Sequence, residues 1–236
     1  MKTMSDNQDN STQMYRKLIR FFLEREIANF HKFLHMLEEN LSIKRQEISD
    51  SLNLAYANLK SPDKDYERHK ELANMMVEAD QMKDFINLFR QSFLTSLYSF
   101  MELWLARDCH LDSKQRDDSE SYKATKGKGI EKVKNYLTTI KTSDFPFDSS
   151  QDWLWIKNFQ LLRDCIIHRQ GSLTGFSDFE IDATLARFVD REDGLSLYGI
   201  NNEQIFIEHD FCLKALQTVH KFMIEILALK TETGYR

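Results

Sequence analysis

The first half of the chain contains no glycine before Gly127 and only one proline, Pro62. Because glycine and proline are the residues that interrupt helices most strongly, this half is predicted to form long helices. Apolar residues also recur at spacings of three and four from Leu18 onward, as on a helix with one buried face. The sequence therefore predicts a long helix over 13–60, with a bend near 40–42, and a second long helix that starts at Pro62.

The strongest apolar stripe of the chain lies late in this second helix. Its members are spaced by three and four positions and are predicted to face the core: Phe85, Phe89, Phe93, Leu97, Phe100, Met101, Trp104 and Leu105. Burial in a core explains so many aromatic side chains better than a surface on which nucleic-acid bases stack.

Shorter elements are predicted after the stripe. They are a helix over 130–140, a helix over 153–170 that Ser149 and Asp152 cap and Gly171 ends, a short helix over 179–191, a β-hairpin that turns at 201–202, and a final helix that Asp210 caps. The predicted fold class is all-α, with a long N-terminal helical hairpin and a small β-hairpin inserted before the C-terminal helix. The sequence also predicts a division of the chain into three segments: a disordered tail over 1–12, a helical hairpin extension over 13–80, and a helical domain over 81–232.

Composition limits the setting of the protein. The 236 residues are 42% hydrophobic, which is enough to bury a core. Three cysteines within apolar helical sequence indicate reduced thiols, so we expect a cytoplasmic protein. No uninterrupted apolar run of about 18 residues is present to cross a membrane, and we expect neither a cofactor nor a membrane partner.

The formal net charge of −5 excludes a surface that is positive throughout, so contact with nucleic acid would depend on a local basic patch. The segment 122–134 is the most basic part of the chain, with five lysines against Glu131 and a net charge of +4. Glycines on both sides of Lys128 would let the backbone approach a phosphate closely. A solvated loop explains the same residues, and both interpretations stay open.

The stretch LLRDCIIHRQG, residues 161–171, holds side chains that can carry chemistry. Cys165 and His168 are neighbours on a helix and could bind zinc together with Cys109 and His110. Adjacent residues point about 100° apart on a helix, however, so the second pair fits a tetrahedral site poorly.

Two other interpretations of this stretch remain. In the first, His168, Arg169 and Gly171 have no functional role and only end the helix, because cations and glycine are favoured at helix C-termini. Alternatively, Arg163 binds phosphate and His168 transfers protons, while an aspartate four positions before the histidine orients its ring. Arg163 and His168 lie about 140° apart on an ideal helix. Either the helix unwinds after Ile167, or a second copy of the chain completes the site.

The run from Arg163 to His168, RDCIIH, resembles the signature of HEPN domains. That signature is an arginine, a polar residue, three variable and mostly apolar residues, and a histidine near a helix end. The segment SFLTSLYSFMELW is similar to the preceding core helix of the family, with its embedded acidic residue at Glu102. The segment 126–137 and the tryptophan-rich lead into RDCIIH are similar to stand-alone bacterial members that are associated with phage defence and toxin systems.

The resemblance covers roughly residues 85–230 and implies a HEPN-like helical bundle. It also implies a metal-independent endoribonuclease that works as a homodimer and cleaves RNA by attack of the ribose 2′-hydroxyl on the adjacent phosphate. In that site the catalytic residues would be Arg163, His168, Asp164 and Glu102, and the RNA contacts would include Lys126, Lys128 and Arg169. An antitoxin or a regulatory protein would be a further partner.

Two rival functions belong to other classes. One is a catalytically inactive HEPN-like module that binds nucleotide or RNA, or that binds a protein partner through its N-terminal helices. The other is a helical protein in which Arg163 is an ion-pair partner and His168 is an ordinary helix-end residue.

Overall fold

The computed structural model describes residues 3–57, 66–115, 122–139, 145–174, 182–199, 201 and 203–232. Within these ranges the chain forms six helices and two strands: α1 Thr3–Ala57, α2 Tyr66–Gln115, α3 Gly129–Thr139, α4 Gln151–Arg169, α5 Ala183–Arg191, β1 Leu195–Tyr198, β2 Gln204–Ile207 and α6 His209–Glu232. The prediction of an all-α fold with a β-hairpin before the last helix is confirmed. The helix start predicted at Pro62 lies outside the described residues.

The helix α1 is longer than the sequence predicts. It begins at Thr3, where a disordered tail over 1–12 is predicted, and it continues without interruption through 40–42, where a bend is predicted. Neither glycine nor proline occurs in its 55 residues, so no residue in it ends the hydrogen-bond ladder. The helix is therefore about 80 Å long.

The first two helices run antiparallel. Phe30 of α1 packs against Phe93 of α2, and Tyr56, near the end of α1, contacts Met76, near the start of α2. Leu23 belongs to the same core as α2 and α6. Much of the segment predicted as an extension therefore packs within the domain predicted for 81–232.

The antiparallel pair of α1 and α2 buries few side chains over residues 42–57 and 66–82, which we call the helical arm. No side chain of 42–57 is buried, and in 66–82 only Leu72 is. The predicted apolar stripe of α2 accordingly divides at this point. Phe93 and Leu97 are fully buried as predicted, whereas Phe85 is 48% exposed and Ile86, next to it in the chain, is buried.

The helix α4 packs across α2 in the core, where Tyr98 of α2 meets Phe159 edge-to-face at 5.5 Å between ring centroids. Trp155 of α4 contacts Phe188 of α5 and Phe211 of α6 in the same core. These contacts place the side chains of α4 between α2 and the C-terminal helices.

The β-hairpin ties the end of α4 to α2. The strands pair antiparallel, with Leu195 opposite Ile207, and β2 also bonds to the residues after α4, since the Ile205 N–H donates to the Gly171 carbonyl at 2.9 Å. The buried amide of Asn87 on α2 donates to the Ile205 carbonyl at 2.9 Å and accepts from the Ile207 N–H at 3.0 Å. The C-terminus of α4 is thus fixed through β2 to the helix on which it packs.

Candidate functional site

The candidate site lies on the last two turns of α4. Ser150 caps the N-terminus of α4, since its side chain accepts a hydrogen bond from the Trp153 N–H at 3.2 Å; this is one residue after the cap predicted at Ser149. It ends with Gln170 and Gly171 both at positive φ, as the glycine predicts, and the Gly171 N–H donates to the Cys165 carbonyl at 3.2 Å. Because α4 stays helical through Arg169, unwinding after Ile167 is excluded.

Arg163 is held on several sides. Its Nη1 donates to Oδ1 of Asp164 at 2.8 Å, and its guanidinium carbon lies 5.7 Å from the ring centroid of Tyr98. Its Nε is buried without a hydrogen-bond partner among the described residues. The side chain as a whole is 26% exposed, so the guanidinium still reaches solvent.

The predicted contact between Asp164 and His168 is not formed. The carboxylate binds Arg163, and no ion pair or hydrogen bond joins it to His168 in the described part of the chain. The adjacent guanidinium gives it a charged partner whatever the protonation state of the histidine. His168 is exposed on the last turn beside Ile167, which is 43% exposed.

Glu102 lies on α2, one turn after Tyr98, and its negative charge acts on the Tyr98 phenol. Its carboxylate packs against Gly129 at the N-terminus of α3, where a Cβ on the glycine would collide with Oε1. A carboxylate is favoured there by the positive end of the helix dipole. Glu102 therefore joins the basic segment that precedes α3 to the face of α2 that carries Tyr98.

Tyr98 is the residue of this site that the sequence interpretation missed. It is 1% exposed, and its hydroxyl has no hydrogen-bond partner among the described residues. Burial raises the pKa of its phenol well above the ordinary value, and the negative charges of Glu102 and Asp164 raise it further, while Arg163 lowers it. The only sequence signal was its spacing, four positions before Glu102, which puts both residues on one face of α2.

The basic segment before α3 presents part of its predicted charge. Lys126 and Lys128 are exposed, and their carbonyls accept bonds from Nδ2 of Asn135 and the N–H of Lys132. Lys134, in contrast, pairs with Asp148 at 2.6 Å. The exposed positive charge is therefore concentrated on the loop that includes Lys126 and Lys128.

Arg169 binds the segment that follows α4. Its Nη1 donates to the Leu173 carbonyl at 3.2 Å, and its Nη2 lies 3.6 Å from Oδ2 of Asp182. The guanidinium thus holds the segment after α4, and its contact with RNA stays a prediction.

The cysteines are poorly suited to bind zinc. Cys109, Cys165 and Cys212 are free and buried, as predicted for reduced thiols. The Cys165 thiol donates to the Ser172 carbonyl, and burial raises its pKa to about 11, which opposes the thiolate that zinc requires. Over the described ranges, no three His, Cys, Asp or Glu side chains come together where a metal ion could be held.

Comparisons of the chain with protein-family models, with curated proteins and with solved structures find no match. The described helices include none with a stretch long and apolar enough to cross a membrane.

Proposed function

We propose that the protein is a metal-independent endoribonuclease that acts as a homodimer, with Arg163 and His168 of both chains lining one cleft. One observation carries the proposal. On a single helix, a guanidinium that is fixed by Asp164 and Tyr98 precedes an exposed histidine that has no hydrogen-bond or ion-pair partner among the described residues. An arginine held in place and a histidine left open is the arrangement that proton transfer beside a phosphate requires.

The unbroken helix supports the dimer. Because α4 is continuous, Arg163 and His168 leave it about 140° apart, and one chain cannot readily aim both groups at the same phosphate. A second copy would supply the missing group. Exposed apolar side chains on α2 and α4 are available to meet that copy, among them Leu103 at 72% and Ile167 at 43% exposure.

In the proposed reaction the ribose 2′-hydroxyl attacks the adjacent phosphorus, and the bond from phosphorus to the 5′-oxygen of the next nucleotide breaks. One His168 accepts the proton of the 2′-hydroxyl, and the His168 of the other chain, in its protonated form, donates a proton to the leaving 5′-oxygen, while Arg163 stabilises the negative charge that grows on the phosphate oxygens. Lys126 and Lys128 attract the RNA backbone. Asp164 lowers the local positive charge but holds the arginine in place.

The resemblance to stand-alone HEPN proteins extends the proposal to its setting. We place the enzyme in the cytoplasm, in phage defence or a toxin-type system, with an antitoxin or regulatory protein as its further partner. These assignments rest on the signature RDCIIH and its flanking segments.

Cleavage assays in excess EDTA test the proposal. We expect the protein to cut single-stranded RNA to products with 2′,3′-cyclic phosphate ends and to leave DNA of the same sequence intact. His168→Ala and Arg163→Ala should each slow cleavage roughly a hundredfold or more. His31→Ala, which removes an exposed histidine on α1, is the matched control and should keep the wild-type rate. RNA that stays intact with pure, folded, dimeric protein would contradict the proposal.

The helical arm favours the alternative of a protein-binding module without catalytic activity. Several apolar side chains on it are at least half exposed: Ile43, Leu54, Tyr56, Tyr66, Met76 and Val77. An exposed group of this kind is typical of a surface that meets a partner. Under that alternative, His168→Ala changes neither RNA nor partner binding, whereas polar substitutions on the arm remove the partner.

A further inference from the structure

We infer that Tyr98 positions Arg163 for the proposed reaction, by holding the guanidinium over its aromatic ring in a cation–π contact. The inference rests on the proposed function and adds a residue outside the RDCIIH run. In this role Tyr98 does not contact RNA, because it is only 1% exposed. It acts through the arginine.

The geometry fits a cation–π contact. The guanidinium carbon of Arg163 lies 5.7 Å from the ring centroid of Tyr98, within the range of about 6 Å over which such contacts are attractive. The Tyr98 ring cannot readily turn away, since the fully buried Phe159 packs edge-to-face against it at 5.5 Å. The core of the protein therefore fixes the surface on which the guanidinium rests.

The remaining contacts of Arg163 leave one part of the guanidinium available. Asp164 binds Nη1, and Nε is buried. No described residue is hydrogen-bonded to Nη2. With one N–H of Nη1 donated to Asp164 and Nε enclosed, Nη2 and the second N–H of Nη1 remain to meet a phosphate oxygen.

The ring of Tyr98, and not its hydroxyl, provides this support. The hydroxyl is buried without a hydrogen-bond partner among the described residues, and it does not bond to Arg163. Phenylalanine keeps the aromatic face and should therefore replace Tyr98 well, whereas leucine removes it. Loss of an unpaired buried hydroxyl should also leave stability unchanged or raised.

Kinetics of RNA cleavage with three variants test the inference. We expect Tyr98→Phe to stay within about threefold of the wild-type kcat, and Tyr98→Leu to lower kcat roughly ten- to a hundredfold per folded molecule, because the arginine is displaced from its reactive position. Tyr136→Leu is the matched control, because it removes an equally buried ring whose hydroxyl bonds to Asp112 on α2. It should lower stability and leave kcat per folded molecule within about threefold.

A second readout separates this inference from the proposed function. The side-chain protons of Arg163 should show an upfield ring-current shift in NMR spectra of the wild type and of Tyr98→Phe, and lose it in Tyr98→Leu. If the wild type cuts no RNA, the proposed function fails, while the spectra still decide whether Tyr98 supports Arg163. Tyr98→Met, which fills similar space without an aromatic face, takes the place of the leucine variant if that variant does not fold.

Three results would overturn the inference. In the first, the resonances of Arg163 do not change on loss of the ring. In the second, Tyr98→Phe is as slow as Tyr98→Leu, which would assign the role to the hydroxyl. In the third, Tyr98→Leu or Tyr98→Met keeps the wild-type kcat.

Discussion

The carboxylate of Glu38 on α1 accepts two hydrogen bonds from the guanidinium of Arg90 on α2, at 2.7 and 2.8 Å. The two side chains are only 17% and 7% exposed. The same guanidinium donates through Nη1 to the Ile207 carbonyl of β2 at 2.9 Å. One buried pair thus joins both long helices to the β-hairpin that holds the end of α4.

Breaking this pair should destabilise the protein strongly. Glu38→Ala leaves the Arg90 charge enclosed without its partner, and we expect the free energy of unfolding to fall by roughly 3–5 kcal/mol. Denaturant titration measures the change. Glu39→Ala is the control, because its side chain is 65% exposed and lies 3.9 Å from His35, and its removal should cost less than about 1 kcal/mol. Equal losses for the two variants would show that the buried pair contributes no more than a surface contact.

Glu38 should also make stability depend on pH in the acidic range. Burial raises the pKa of its carboxyl, but the hydrogen bonds and charge of Arg90, with a contribution from His209, outweigh burial and hold the pKa below its ordinary 4.5. A carboxyl with a lower pKa in the folded than in the unfolded chain adds stability that is fully present above the unfolded pKa and is lost as pH falls through the folded pKa.

We therefore expect the free energy of unfolding of the wild type to fall more steeply below about pH 4.5 than that of Glu38→Gln, which has no proton to gain. Urea titrations at a series of pH values from neutral downward provide the comparison. Parallel curves for the two proteins would contradict the expectation.

Gly194 and Gly199 form a matched pair for separating backbone strain from steric collision. Both have positive φ, 82° and 92°, so alanine at either position should cost about 1–2 kcal/mol. A Cβ on Gly194 would also lie 2.8 Å from the backbone nitrogen of Phe211, whereas the nearest atom at Gly199 is 3.6 Å away. Gly194→Ala should therefore cost a further 1–3 kcal/mol or so, measured by thermal or denaturant unfolding. Equal losses would mean that the start of α6 shifts without strain.

The exposed lysines before α3 should act through the RNA backbone. Replacing Lys126 and Lys128 together with alanine should weaken RNA binding at low salt and reduce the slope of log affinity against log salt by about 1.4, or 0.7 for each lost phosphate contact. Binding measured at several salt concentrations gives this slope. Replacement of Lys17 and Lys32, both exposed on α1, is the control and should leave it unchanged. If the slopes are the same, the segment is a solvated loop.

Most of the fold could be predicted from local patterns. The absence of helix breakers other than Pro62 before Gly127 indicates two long helices, and Asn201-Asn202 between two β-compatible runs indicates the hairpin that β1 and β2 form. These features depend on residues that are close in sequence. The extra length of α1 was missed because a polar segment that lacks glycine and proline satisfies the rules for a disordered tail and for a helix equally well.

The contacts within the candidate site could not be predicted in the same way. Sequence spacing favours Asp164 beside His168, but the aspartate binds Arg163, and Arg169 binds the segment that follows α4. The role inferred for Tyr98 depends on how α2 crosses α4, and no pattern within one helix determines that crossing. Sequence identified the residues that carry charge, and the packing decided their partners.

The continuity of α4 has a consequence for experiments with mixed subunits. If one chain cannot bring its own arginine and histidine to a single phosphate, then Arg163→Ala chains and His168→Ala chains, each inactive alone, carry complementary defects. A heterodimer of the two would still unite one intact arginine with one intact histidine. Cleavage that returns on mixing, and that declines as the mixture is diluted, would measure how firmly the two subunits hold each other.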